Sequence, residues 1–222
     1  MTEIAIYLEG GGNTTQEKAE LRQGFEGLFR AEKLFSREKH LSLRFVPCGG
    51  RKEAHDAFTN ALNSNPERVN ALLVDSEVAI ALVSTDRPHD AEVRVAHLRN
   101  RQGSGDPQEG DGWTLPNVRP ERIHLMVQCM EAWIVSDPEA LKDFYKQNFK
   151  PNRLPARPNL EEEPKSDIYS KLDAATRDTQ KGTYRKIKHA SELLQLIHPD
   201  KVARRCPRFA IFRDWLKERL GH

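Results

Sequence analysis

The sequence predicts an α/β fold: a mostly parallel sheet flanked by helices, with a small helical region following it. Three observations lead there. Short apolar runs rich in β-branched residues alternate with stripes at helical spacing from Ile4 to Val135. The runs end abruptly in glycine, proline or acidic residues, as strands leaving a buried sheet do. Beyond Pro164 only helical patterns occur.

Ile4-Ala5-Ile6-Tyr7-Leu8 reads as the first strand, ending in Glu9 and Gly10-Gly11-Gly12. A helix follows, with Thr14 or Thr15 as cap, Glu17 at the positive end of its dipole, and Leu21, Phe25, Leu28 and Phe29 as its apolar stripe. Leu41 to Val46 is the second strand, stopped by Pro47 and Gly49-Gly50, and Ala54, Ala57, Phe58, Ala61 and Leu62 mark the next helix. Asn70 to Val74 is the third strand, ending in Asp75-Ser76-Glu77. From 85 to 120 the composition turns polar and glycine-rich, which predicts a surface insertion. Ile123 to Val127 is the fourth strand, followed by a helix from Glu131 that Asp137-Pro138 interrupts. The segment 151–164, with four prolines and Glu161-Glu162-Glu163, reads as a linker between an α/β domain, 1–150, and a helical region, 165–222.

Composition narrows the function. The 222 residues suffice for a buried core, and no apolar run approaches the roughly 20 residues of a spanning helix. Glu3 stands where a secretory signal would carry Lys or Arg, so a cytoplasmic protein is expected. The three cysteines form no C-x-x-C pair and the eight histidines no H-E-x-x-H, which removes zinc ribbons and zincins. Phosphate-loop, dinucleotide and G-x-S-x-G signatures are also absent. The net charge of +2 conceals an asymmetry: residues 181–220 hold 11 Lys or Arg against 4 Asp or Glu. A phosphate-bearing partner and a solvated helical surface are both compatible with that excess.

Chemistry is expected at the strand ends, because ligands of open parallel sheets bind beyond the carboxyl ends of the strands. Glu9 follows the first strand, and Asp75 and Glu77 the third. Alternation along an extended chain would turn residues 75 and 77 to the same side, where they could share one ion. An all-oxygen set suits Mg²⁺ or Mn²⁺, which keeps its waters and is held by one or two carboxylates plus substrate phosphates. Gly49-Gly50-Arg51-Lys52, at a helix start, is a candidate anion site through Arg51 and Lys52. In the basic segment, Lys181, Arg185, Lys186 and Lys188 are candidate nucleic-acid contacts, with 181, 185 and 188 on one face if that stretch is helical.

Three strings together resemble a known family. These are the first strand ending in Glu9 with its glycines, the strand ending Val74-Asp75-Ser76-Glu77, and Met126-Val127-Gln128-Cys129-Met130-Glu131-Ala132-Trp133. They resemble an uncharacterised Toprim-like family, related to RloB-like proteins and more distantly to the overcoming-lysogenization-defect nucleases. Lys181-Gly182-x-Tyr184-x-Lys186-Ile187-Lys188-His189-Ala190 and Cys206-Pro207-Arg208-Phe209 resemble that family's tail. The resemblance implies a Toprim core in which Glu9 matches the first-strand glutamate and Asp75-x-Glu77 the metal-binding Asp-x-Asp, with Glu77 departing from the pattern. It also implies Glu131 as a fourth metal carboxylate and an ATPase partner in prokaryotic defence or DNA processing.

The expected function is therefore a Mg²⁺-dependent nuclease in which Glu9, Asp75 and Glu77 are catalytic and, with Glu131, bind metal. A non-catalytic module that binds nucleic acid or an ATPase is the alternative. A phosphatase of haloacid-dehalogenase type is a third reading, weakened by Glu77 and by the lack of a later lysine signature.

Overall fold

The computed structural model describes residues 3–81, 83, 86–100, 111, 113, 115 and 118–221. Four strands, β1 (Glu3–Leu8), β2 (Ser42–Pro47), β3 (Val69–Asp75) and β4 (Ile123–Met126), form one all-parallel sheet in the order β2-β1-β3-β4. Between them run α1 (Thr15–Leu28), α2 (Arg30–Glu38), α3 (Arg51–Ser64) and α4 (Arg87–Asn100). After β4 come α5 (Glu131–Ile134), α6 (Pro138–Tyr145), α7 (Lys165–Thr176), α8 (Lys186–Leu196), α9 (Pro199–Arg205) and α10 (Pro207–Leu220).

Strand alternation separates two cores. Ile4, Ile6, Leu8, Phe45 and Leu73 face one side and are covered by α1, α5, α6, α8 and α10. Leu72, Val74, Ile123 and Leu125 face the other, against Ala54 and Phe58 of α3 and Val95 and Leu98 of α4. Parallel pairing puts every carboxyl end on one edge: Leu8 lies beside Leu73, and Asp75 beside Met126. Thr14 caps α1, its side chain accepting from the Glu17 amide while the Glu17 carboxylate accepts from the Thr14 amide.

Three expectations are corrected. The stretch 85–120, read as an insertion, contains α4, which buries Ala91, Val95 and Leu98 together with Asp90 and Arg94. Its polarity is deceptive because Asp90 and Arg94 pair with each other inside the protein. Gly103 to Pro107, Gly110 and Gly112 lie outside the described residues. The segment 151–164, read as a linker, is packed: Leu154 and Leu160 are buried. Buried Glu161 accepts from the Arg208 amide at 2.5 Å and from its guanidinium at 3.2 Å, and Glu163 pairs with Lys171 and Arg157. Finally, residues 181–188 do not form one helical face. α8 begins only at Lys186, and Lys181 sits in the preceding turn with its ammonium 4.2 Å from the Phe144 ring centroid.

Candidate metal centre

Two glycine loops build the floor. Gly10, Gly11 and Gly12 have φ of 114°, 91° and 60°, a region closed to most side chains. A Cβ on Gly11 would meet Lys18 Cα and Pro47 Cβ at 3.1 Å. The loop after β2 is stitched to this one by a reciprocal backbone pair, Gly10 N–H to Gly49 O at 2.7 Å and Gly49 N–H to Gly10 O at 2.9 Å. With its backbone so held, Glu9 turns toward β3, where its Oε2 accepts from the Asp75 amide at 3.1 Å and from Arg51 Nη1 at 2.9 Å.

Asp75 closes β3 and is 1% exposed. Its Oδ1 accepts from the Met130 amide at 2.9 Å, and its Oδ2 faces the ammonium groups of Lys186 at 3.6 Å and Lys165 at 4.0 Å. Burial, reinforced by the Glu9 carboxylate and opposed by Lys186, pushes the Asp75 carboxyl up to about 8. Glu77 reaches the same place by a route that strand alternation does not describe. Its φ of 68° is a left-handed turn, its amide donates to Gln128 O at 2.9 Å, and its Oε2 pairs with Lys165 at 2.6 Å. Ser76 points elsewhere, donating to Val78 O at 2.7 Å.

One carboxylate oxygen from each of Glu9, Asp75 and Glu77 lies within 4.8 Å of the other two. Two oxygens on a single Mg²⁺ can be at most about 4.2 Å apart, twice a bond of ~2.1 Å. Three ligands on one octahedral ion include at least two adjacent pairs, about 3.0 Å apart, so the carboxylates close around the metal as it binds. The all-oxygen donor set fits Mg²⁺ or Mn²⁺ and suits no softer metal.

Glu131, expected as a fourth ligand, stands apart from this cluster. It is fully buried, and its two oxygens accept from the hydroxyls of Tyr169 at 2.8 Å and Tyr184 at 3.1 Å. Burial and the adjacent Glu131 hold both phenols above the usual range. Arg51, expected to meet phosphate, is instead an internal strut. Besides Glu9 it holds the Asp75 carbonyl, pairs with Asp111 at 2.6 and 2.7 Å, and lies 4.9 Å from the Trp113 ring centroid. Lys52 faces solvent beside Asp56.

Of the basic-segment candidates, Lys186 alone reaches the acids. Burial opposes its charge, yet Asp75, Glu131 and Glu9 hold the ammonium above the ordinary lysine range. Its position follows from helix packing. α8 rests on α1 at Gly24 and Gly27, where added Cβ atoms would meet Ser191 O at 2.9 Å and Gln195 Cγ at 2.5 Å. Arg185 and Lys188 are exposed. Much of the surrounding positive excess is used inside the fold: Lys201 pairs with Asp137 and Glu139, Arg208 with Asp90 and Glu161, and Arg213 with Glu32 and Asp200.

A cavity of about 250 Å³ opens between the glycine loops, Asp75, Lys186 and Ile187. A larger one, about 340 Å³, lies between α4 and α10 against His124 and Trp215 and holds no part of the acidic cluster. Residue-by-residue reading did not find Lys165, Gln128, Tyr169 or Tyr184. Gln128 and Tyr184 carried a signal only as members of the Met126–Trp133 and Lys181–Ala190 strings. No helix among the described residues is long and apolar enough to cross a membrane.

Neither the curated proteins nor the solved structures contain a match to this chain. A family profile described as "Domain of unknown function (DUF4276)" matches residues 8–217. With nearly its whole length covered and the acidic strand ends inside the match, the chain belongs to the DUF4276 family.

Proposed function

We propose that the chain is a Mg²⁺- or Mn²⁺-dependent phosphodiester hydrolase of Toprim type acting on nucleic acid. The observation that carries this reading is the convergence of Glu9, Asp75 and Glu77 on one edge of a parallel sheet, with two lysines turned toward them. Bound there, the metal would supply Lewis-acid activation of water and neutralise charge on the phosphodiester. Glu9, whose Oε2 takes both of its hydrogen bonds among the described residues, keeps Oε1 for proton transfer at the cavity. Lys186 offers an ammonium at the cavity wall to a non-bridging phosphate oxygen. Exposed Arg185 and Lys188 extend the positive surface for the rest of the strand. An ATPase partner in prokaryotic defence or DNA processing belongs to the proposal through the sequence resemblance alone.

A non-catalytic binding module is the second reading, favoured by the Lys165 ammonium that already pairs with Glu77. The phosphatase reading draws no support: Glu77 stands where that chemistry uses a second aspartate, and the later lysine signature is missing from the sequence. Purified protein incubated with Mg²⁺ or Mn²⁺ and end-labelled single- and double-stranded DNA and RNA tests the proposal. Cleavage that stops with chelator and in Asp75→Asn supports hydrolysis. Binding without cleavage of any substrate, or cleavage that survives Asp75→Asn, overturns it.

A further inference from the structure

We infer that Lys165 is a resident counter-cation, which a divalent ion must displace from Glu77 to load the site. The inference rests on the metal reading above and adds how that site is kept and opened. The oxygens already engaged by the protein are Asp75 Oδ1, bound by the Met130 amide, and Glu9 Oε2, bound by Arg51 and the Asp75 amide. Asp75 Oδ2 remains for an ion, and Glu77 offers its carboxylate from the same cluster. Lys165 Nζ sits 4.0 Å from Asp75 Oδ2 and 2.6 Å from Glu77 Oε2. Ion and ammonium thus draw on the same two carboxylates, and like charges at such separations repel strongly where burial limits screening.

The two lysines at the site are not equivalent. Lys186, whose side chain is 44% exposed, stands 3.6 Å from Asp75 Oδ2, with Asp75, Glu131 and Glu9 as its neighbouring carboxylates, and makes no ion pair with Glu77 among the described residues. Lys165 opens α7 directly after Pro164 and is the lysine that pairs with Glu77 itself, at 2.6 Å, with its side chain partly open to solvent. Its backbone is fixed, because its amide donates to Gln128 Oε1 at 3.2 Å while the Gln128 carbonyl accepts from the Glu77 amide at 2.9 Å. One residue, Gln128, therefore frames both partners of the ion pair. The flexible stem of Lys165 can swing its ammonium to water without disturbing that frame. In the absence of metal, the same ammonium offsets the mutual repulsion of the three acids.

The test is calorimetric titration of Mn²⁺ into wild type, Lys165→Met, Lys165→Arg and Glu77→Gln, each checked for wild-type circular dichroism. Lys165→Met should bind Mn²⁺ at least about fivefold more tightly than wild type, the low end of ordinary coupling between linked sites. Binding by Lys165→Met alone would be the extreme of the same competition and would support it. Lys165→Arg, which keeps a cation and adds a forked grip on Glu77, should bind no more tightly than wild type. Glu77→Gln should bind more weakly. A merely structural Lys165 would give equal or weaker binding in Lys165→Met, and that result overturns the inference while leaving the metal site in place. If Lys165→Met does not fold, tighter binding in Lys165→Arg overturns it, and equal or weaker binding supports it. Absence of Mn²⁺ binding in every protein removes the metal reading, and the inference falls with it.

Discussion

Replacing Gly24 by alanine sets two known effects against each other. In an isolated helix the change should help, because glycine in a helix interior is about 0.8–1.0 kcal/mol less favourable than alanine. Here the new Cβ would stand 2.9 Å from Ser191 O and 3.0 Å from Ser191 Cα. Both are backbone atoms of α8, so no side-chain rotation relieves the contact and the whole helix must retreat. Overpacking of this kind costs about 1–3 kcal/mol. The net expectation is a loss of about 1 kcal/mol, which for a chain of this size lowers Tm by roughly 2–4 °C. Thermal unfolding followed by circular dichroism reads the sign directly. A Tm raised by a similar amount, as helix propensity alone would give, refutes the close α1–α8 contact and with it the reason Lys186 lies over Asp75.

Two further outcomes are expected. Burial lifts the Glu161 carboxyl to about 7 against the pull of Arg208, from an ordinary value near 4.5. The folded state therefore holds this proton more tightly than the unfolded chain. Its contribution to stability is complete below about pH 4.5 and is lost as pH rises to about 7, roughly 3 kcal/mol in all. Urea unfolding of Glu161→Gln across that range should show a shallower decline than wild type, and an unchanged slope would contradict it. On the surface, Arg185→Ala/Lys188→Ala should weaken duplex DNA binding and flatten its salt dependence by a slope of about 0.9 per lost phosphate contact. Equal slopes for variant and wild type would turn this face toward a protein partner.

The strands and the acids at their ends were legible because burial on both faces writes continuous apolar runs, and strand ends are written in glycine and charge. What escaped is held by partners distant in the chain. α4 has no plain apolar stripe because Asp90 and Arg94 are buried, and Arg208, more than a hundred residues later, completes their ion-pair network. Four prolines made 151–164 look extended, while the Leu154 and Leu160 side chains that dock it carry no periodicity. Arg51 read as an anion contact from its helix-start position, and only the fold brings Glu9 and Asp111 to it. Glu77 converges with Asp75 as expected, through a left-handed turn that period-two reasoning cannot supply. Lys165 is a lone lysine after a proline and has no local signature at all.

The division of labour along the chain bears on how the protein is made. All three converging acids lie before residue 80, whereas Lys165, Lys186 and the tyrosines that cover Glu131 lie after 164. During synthesis the carboxylates emerge from the ribosome first and must wait for their neutralising partners. On the sheet face above them, Phe25 and Phe29 can cover Phe45 early, while Phe209 and Phe212 of α10 reach Phe29 only at the end of synthesis. The acids are thus laid down in about the first third of the chain and acquire Lys165, Lys186 and the tyrosine shield of Glu131 only when its last third is made.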